Sequence, residues 1–582
     1  MLAGDLAEDA EDLRRTSSAS EGRLSAMTMR WTPLCLVPLL ACADPKTGES
    51  GAGASTTLGD ETGDPTTTGD GDPGDGDGDG DPGDGDGDGD PGDGDGDDDG
   101  DSGGIKFDLA ALGDIGETGG RDGPIIPETC DQAEAGETSV GCLFYTTDLD
   151  NNVDGIQFAV VVSNVQQQDP ASVIVERKSG GNWVVVEGPV EVAALDLHEF
   201  HIPDFHQEGT GVKVGGAYRV VSDTPIIAYQ FNPIDGQTSL LSDASMLYPV
   251  ASWDDLNQVV SWAAPSPSSR PYVTIAAAFD NTEITFTPPV ATVGAGGVPA
   301  TGANQAIVIQ IDEGDTVSIN PVDANEALTG ATVDSDPDHP IALFSGHTCA
   351  NIPGGVCCCD HLEEQLSGVR LWGQEFVAAH VPVRDLAAPE ATLWQIYASE
   401  DDTTVTLDYD PALSGLPGPS LELNKGEVEE MFVTAPPGTE ADFAISADRP
   451  IAVMGYMIGA FNLGPGLTEV GDPAMIQFPA TEQFLPRYVV LVPGTWVNDA
   501  LMLTRAAGAT IEIDGVPVDE MAFEPVDNGD WEVARVSVPD GVHLLEGGND
   551  PFGVVVIGWD QYDSYAYVGG TGTGKINPNP EG

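Results

Sequence analysis

Val273–Phe286 reads VTIAAAFDNTEITF, and Trp394–Leu407 reads WQIYASEDDTTVTL. The two match strand for strand at an offset of 121 residues (394 minus 273). Each is an apolar run, a turn rich in Asp, Asn or Glu, and a second run in which apolar and polar side chains alternate. Alternation at period two marks a strand with one buried face. A strand, a polar turn and a strand together predict a β-hairpin. Leu501–Ile513 is a looser copy, and Phe158–Val175 is looser still.

A second marker lies between these copies. It is an Asp near a Pro, followed by an apolar strand: Ser222–Ala228 (SDTPIIA), Asp338–Ala342 (DHPIA) and Asp448–Ala452 (DRPIA), with Asn549–Gly553 (NDPFG) as a degenerate form. The prolines at 225, 340, 450 and 551 are 115, 110 and 101 residues apart. Two markers in a fixed order at a shared spacing predict an internal repeat of about 105 residues in roughly four copies. A unit of that size with about seven strands fits a β-sandwich. The alternative is a propeller with more than one blade per unit. Gln157–Ser163, Val173–Glu176, Trp183–Glu187, Tyr218–Val221 and Ile226–Phe231 read as further strands. The 73 glycines and 44 prolines disfavour a helical bundle, and the fold class is all-β.

Upstream, the chain changes character. Trp31–Ala41 is a short apolar run after Arg30, the length of a signal-peptide core and too short to span a bilayer. It ends Leu39-Leu40-Ala41-Cys42, which resembles a bacterial lipobox, so Cys42 is the expected lipidation site. Residues 43–104 hold 21 acidic side chains and one basic, Lys46, and repeat the unit DPGDGDGDG. Such a segment buries too little surface to offset its ordering entropy, and a disordered, charge-extended spacer is expected. Asp75, Asp77 and Asp79 imitate an EF-hand start, but position 12 is Asp86 rather than Glu, so calcium is a weak expectation and no other cofactor is expected. The resulting division is a signal segment over 1–41, a linker over 42–125, an all-β domain over 126–570 and a flexible tail over 571–582.

The charge balance is 20 basic against 97 acidic residues, net −77. It excludes a nucleic-acid partner and electrostatic docking on an anionic membrane. The body carries Cys130, Cys142, Cys349, Cys357, Cys358 and Cys359, an even number that points to disulfides in an exported chain. Cys130 and Cys142 are expected to pair. Cys349 can close a loop with one of the triplet, leaving two adjacent cysteines as a vicinal bridge or free thiols. A metal site built from His347, Cys349, the triplet and His361 is the sharper alternative, but the CxxC spacing of such sites is missing. His198, Glu199, His201 and His206 (HEFHIPDFH) do not match HExxH and read as a surface strand. Asp334, Asp336 and Asp338 read as a polar turn before a strand. Gly569–Lys575 (GGTGTGK) falls short of a phosphate-binding loop, because Ile576 replaces Ser/Thr, and reads as flexible tail. No nucleophile, base and orienting group assemble, and no catalytic residue is assigned.

Ala217–Phe231 (AYRVVSDTPIIAYQF), Ser242–Pro249 (SDASMLYP), Phe344–Leu366 (FSGHTCANIPGGVCCCDHLEEQL), Leu371–Val377 (LWGQEFV) and Gly471–Leu485 (GDPAMIQFPATEQFL) together resemble the IgGFc-binding protein N-terminal domain family. The resemblance runs from about 217 to 560. It implies an extracellular binding or adhesion module without enzymatic activity. On the family pattern Cys349 and Cys359 are the matching pair, and Cys357 and Cys358 are extra. No residue-level antibody site transfers. The expected function is a cell-surface lipoprotein of a bacterial outer membrane or surface, presenting this module to an extracellular protein or glycan and touching the membrane only through its anchor. The alternatives are a self-associating envelope protein and, behind it, a glycan hydrolase.

Overall fold

The apolar runs of the sequence form strands that repeat one pairing order four times. The computed structural model describes residues 126–582, apart from 154, 235–239, 264–268, 357, 386, 465, 468, 469, 528 and 582. The signal segment, Cys42, the acidic spacer and Cys357 therefore lie outside the described residues. The first module holds β1 (Gly141–Thr147), β2 (Ala159–Asn164), β3 (Ala171–Ser179), β4 (Asn182–Val192), β5 (Leu197–His201), β6 (Gly211–Lys213), β7 (Ala217–Phe231) and β8 (Ala244–Met246). The second holds β9 (Leu256–Gln258), β10 (Pro271–Ala277), β11 (Thr282–Thr287), β12 (Ile307–Ile311), β13 (Thr316–Ile319), β14 (Thr332–Asp334), β15 (Ile341–Ala350) and β16 (Asp360–Leu366). The third holds β17 (Gly373–Ala378), β18 (Thr392–Ala398), β19 (Thr403–Asp408), β20 (Ser420–Leu423), β21 (Val428–Val433), β22 (Phe443–Tyr456) and β23 (Met475–Phe478). The fourth holds β24 (Arg487–Val492), β25 (Asn498–Ala506), β26 (Glu512–Ile513), β27 (Val516–Pro517), β28 (Phe523–Pro525), β29 (Trp531–Val536), β30 (Gly541–Glu546), β31 (Phe552–Asp560) and β32 (Asp563–Val568).

In the first module one long strand serves two sheets. The first half of β7 pairs with β1 and β3, and β3 with β4. The second half pairs with β2 and β8, and β2 with β5. In the third module β22 plays the part of β7, with the same partners in the same places. In the second and fourth modules the long strand is interrupted, as β14 then β15 and as β30 then β31, and the pairings are otherwise the same. Each module is thus a β-sandwich, and in the first and third its sheets share a corner strand.

The Asp–Pro marker sits at that corner. Pro225 and Pro450 stand where the strand leaves one sheet for the other, and a proline has no N–H to withdraw from either ladder. Asp223 Oδ1 accepts the N–H of Ser172 at 2.7 Å, and Asp448 Oδ1 accepts that of Thr404 at 2.8 Å, so each Asp fastens the corner to the neighbouring strand. Two sequence expectations change here. Tyr218–Val221 and Ile226–Phe231 are one bent strand rather than two. The expected hairpins are crossings: β10 pairs with β13 and β15, whereas β11 pairs with β12 and β14. Alternation says that a strand has a buried face; it does not say which strand lies beside it.

The modules close a ring. β8 touches β16, β16 touches β23, β23 touches β32, and β32 touches β8. The sixth residue after each corner proline is Phe231, Gly346, Tyr456 or Ile557, and these pair with Ala244, Glu363, Met475 and Ala566. The backbone N–H groups of those four equivalent partners all point to one carboxylate, that of Asp243. Ala244 and Ala566 donate to Oδ1 at 2.9 and 3.4 Å, and Glu363 and Met475 to Oδ2 at 3.2 and 3.1 Å. Asp243 is fully buried. Burial pushes its carboxyl well up, and the four N–H bonds pull it back. Gly346 is required where the other modules carry a large side chain, because a Cβ there would come within 2.4 Å of the Tyr272 hydroxyl.

Apolar cores bridge neighbouring modules. One cluster joins Val160 and Tyr229 to Val490 and Val556, another joins Val273 and Ile341 to Leu393 and Met454, and a third joins Ile396 and Val453 to Met502 and Ile557. The ring is closed by residues 571–577, which correct the expectation of a flexible tail. Ser139 N donates to Thr571 O at 3.0 Å and Thr573 N to Glu137 O at 2.7 Å, while Asn577 is buried with its side chain on the Val369 carbonyl at 2.9 Å. Glycine and threonine suit a loop in composition, but here the segment's backbone groups are taken up by Glu137, Ser139, Arg370 and Gln483.

Asp243→Ala removes one acceptor from four buried donors. Each orphaned donor costs about 1–3 kcal/mol, so the variant should lose about 3 kcal/mol or more. Asp243→Asn keeps one acceptor oxygen and should lose less. Urea midpoints of the two variants and the parent measure this, and an Asp243→Ala midpoint equal to the parent's would overturn the hub role.

Candidate functional site

The chain end of β7, β15, β22 and β31 defines one face of the ring, because each of these strands ends beside the start of β8, β16, β23 or β32. The β1–β2 loop and its three counterparts reach the same face, since β2 begins opposite the end of β7. Eight loops therefore gather here, over 148–158, 232–243, 259–270, 351–359, 379–391, 457–474, 493–497 and 561–562. Loops on a rigid sandwich are the usual place for recognition.

Side chains hold these loops in shape. In the first module the Asn151 amide donates to the Leu241 carbonyl at 2.9 Å, and the Asn232 amide to the Leu149 carbonyl at 2.9 Å. In the second, the Cys349–Cys359 disulfide closes the loop and the Trp262 indole donates to the Asn351 carbonyl at 3.1 Å. In the third, Arg384 is fully buried. Its Nε meets Glu390 at 2.8 Å, and its Nη1 and Nη2 donate to the Val470 and Ile458 carbonyls at 3.0 and 2.7 Å. In the fourth, the Trp496 indole donates to Asp563 Oδ2 at 2.7 Å.

The loops are also tied to one another. Ser242 Oγ donates to Asp563 Oδ1 at 2.7 Å, linking the first and fourth modules. Asp472 N donates to Ser564 Oγ at 3.0 Å, and Gly471 N to the Asp560 carbonyl at 2.7 Å, linking the third and fourth. Gly459 N donates to the Ile352 carbonyl at 2.9 Å, linking the second and third. His361 completes the circuit. Its Nδ1 lies 3.1 Å from the Asn232 carbonyl and its Nε2 lies 2.8 Å from the Tyr272 hydroxyl, so Nδ1–H donates and Nε2 accepts. Burial pushes the imidazoles of His347 and His361 down to about 3, which keeps both neutral.

These contacts sort the residues singled out in the sequence. Cys130 pairs with Cys142, stapling α1 (Cys130–Ala135) to β1, and Cys349 pairs with Cys359. Cys358 is held in a disulfide. With the Cys349 and Cys359 sulfurs joined, they are not thiolate ligands beside His347 and His361. His198 and His201 lie on β5, facing Glu187 at 3.6 Å and Glu199 at 3.4 Å. His206 lies beyond the strand in the following loop, where it joins Asp204 and Asp148 with ligand atoms within 4.8 Å of one another. Sequence reading missed this trio because Asp148 is 56 residues from Asp204, and the sheet in which β7 pairs with β1 and β2, and β2 with β5, brings them together, with Phe205 N donating to Asp148 Oδ2 at 2.7 Å. The Lys213 ammonium sits on the Phe205 and His206 carbonyls and offsets the trio's charge. Asp334 ends strand β14 rather than lying in the expected turn, and Asp336 Oδ1 accepts the Asp338 N–H at 2.9 Å in the turn that follows.

The face combines buried acid with exposed apolar side chains. Val153, Leu240, Phe461 and Val497 are 40, 40, 47 and 69% exposed at its surface. Beneath them burial pushes the carboxyls of Asp148, Asp472 and Asp563 up to about 7 and that of Asp499 up to about 6. The opposite end receives the chain. Gln166 Nε2 donates to the Pro127 carbonyl at 2.8 Å and to that of Pro225 at 3.4 Å, so residues 126–127 enter beside the corner.

A family model described as IgGFc binding protein matches residues 243–558. No curated protein matches the chain. The matched span starts at the Asp243 hub and takes in the CDHLEEQL block, whose strand β16 is buried throughout.

A carboxyl whose folded pKa is raised holds extra protons in the folded state. Its contribution is complete below the unfolded value, near 4, and is lost as pH rises through the folded value. With three groups near 7 and one near 6, unfolding free energy should fall by about 2 kcal/mol or more from pH 5 to pH 8. Denaturant titrations at the two pH values test this; greater stability at pH 8 would refute it.

Proposed function

The chain belongs to the IgGFc-binding protein family, and on that footing we propose that it is a non-enzymatic binding or adhesion module that meets an extracellular partner through the eight-loop face. The carrying observation is polarity of attachment. Residues 126–127 lie at the corner end, next to Pro225, and the loops lie at the other. The chain that enters at residues 126–127 therefore leaves the loop face, at the other end, uncovered by that entry. The acidic, Asp/Gly-rich residues 43–104 supply a spacer, and acylation of Cys42 supplies its anchor. The rigid frame under the loops supports recognition, since a pre-shaped surface loses little entropy on binding.

Two experiments test this reading. Cells displaying the chain should adhere to immobilised extracellular-matrix proteins or to a glycan array. Val153→Ser with Val497→Ser should lower adhesion at least about fivefold, whereas Val184→Ser with Val185→Ser on the remote β4 edge should leave it unchanged. Equal loss from both pairs, or loss from the β4 pair alone, would sink the loop-face assignment. Cys42→Ala should move the chain from the membrane fraction to the soluble fraction; a parent chain that is already soluble would refute the anchor.

A further inference from the structure

One sector of the loop face differs from the rest. Phe461, from the 457–474 loop, and Tyr562, from the β31–β32 turn, lie with ring centroids 6.3 Å apart and planes 17° from parallel. Phe461 is 47% exposed, and Val497 on the neighbouring turn is 69% exposed. Aspartates surround this patch. Asp560 is two residues before Tyr562. Asp540 is exposed beside the 493–497 turn, with its Oδ2 3.4 Å from where a Cβ on Gly494 would stand. Asp499 lies beneath, accepting the Tyr565 hydroxyl at 2.7 Å. Burial first, and then the charges of Asp540 and Asp560, raise the Asp499 carboxyl. The sector thus sets carboxylates near the exposed Phe461 ring.

We propose that the Phe461–Tyr562 platform and its aspartate rim receive a Lys- or Arg-bearing segment of a protein partner. An exposed aromatic face attracts a cation through its quadrupole, and the rim adds Coulombic attraction. The chain's net charge of −77 steers a basic partner toward the face and repels sulfated or uronate glycans and nucleic acid. The apolar Val497 matches the aliphatic stem of a lysine. This rests on the loop-face reading above and adds the chemistry of the partner.

The test uses the full chain and three fluorescent probes: a 12-residue Lys/Gly peptide, its Glu/Gly counterpart and a neutral chitohexaose. The acidic spacer attracts any cation, but Phe461→Ala leaves the spacer untouched, so the variant-sensitive part of the binding is the part that counts. The Lys/Gly peptide should bind the parent chain about 5–30 times more tightly than Phe461→Ala does, with a smaller loss in Asp540→Asn, and its affinity should fall as salt rises. The Glu/Gly peptide should not bind. Equal affinity for parent and Phe461→Ala would overturn the proposal, as would chitohexaose binding that depends on Phe461. Loss of adhesion in the Val153/Val497 variant alongside a Phe461-insensitive peptide would refute the cationic partner while leaving the loop face standing. Thermal unfolding of each variant separates lost contact from lost fold.

Discussion

A single carboxylate at the centre of the ring organises this protein. Four sandwiches of one topology bring four equivalent backbone N–H groups to Asp243, one from each module's closing strand. A peptide N–H has to find an acceptor once it leaves water, and at a centre formed by four strand edges there is no fifth strand to provide one. Asp243 is the acceptor. It is contributed by one module and used by all, so the hub breaks the fourfold likeness at its centre. The modules' corresponding residues are Leu362, Ala474 and Tyr565, none of which offers a carboxylate.

The rest of the architecture answers the needs of that centre. The sheets that reach the hub face neighbouring modules, and apolar clusters run across each boundary. A module taken alone would expose such a face, as a lone repeat of an array does. Residues 571–577 close the ring against residues 137–139 and against Val369 and Arg370, joining the two ends of the domain to neighbours far away in sequence. The loops are braced by the same logic: Ser242, His361, Gly459 and Asp472 each carry a contact from one module into the next. The surface they frame carries exposed apolar side chains over buried carboxyls.

Repetition was legible in the chain because it is written in local chemistry. The Asp–Pro marker records a corner where the strand changes sheet, and alternating runs record faces that meet a core. The Cys130–Cys142 bridge was legible from sequence proximity, and the Cys349–Cys359 pair from family likeness. Pairing between strands was not legible. β10 and β11 follow one another across a short polar turn, as hairpin strands do, yet they lie in different sheets. The glycine-rich 569–575 stretch reads as loose chain, and its order comes from partners distant in sequence, Glu137 and Ser139 at one end of the domain and Gln483 in the fourth module's approach.

The sequence by itself determined the all-β class, the repeat and its length, the acidic balance and the Cys130–Cys142 pair, since each rests on the identity and spacing of nearby residues. The tertiary structure alone decided the closure of the ring, the role of Asp243, the meeting of His206 with Asp148 and Asp204, and the placing of Phe461 beside Tyr562. These depend on which strand edges lie together across a hundred residues or more. Hydrogen bonds between backbones and the burial of shared apolar faces settle that choice, and both are blind to distance along the chain.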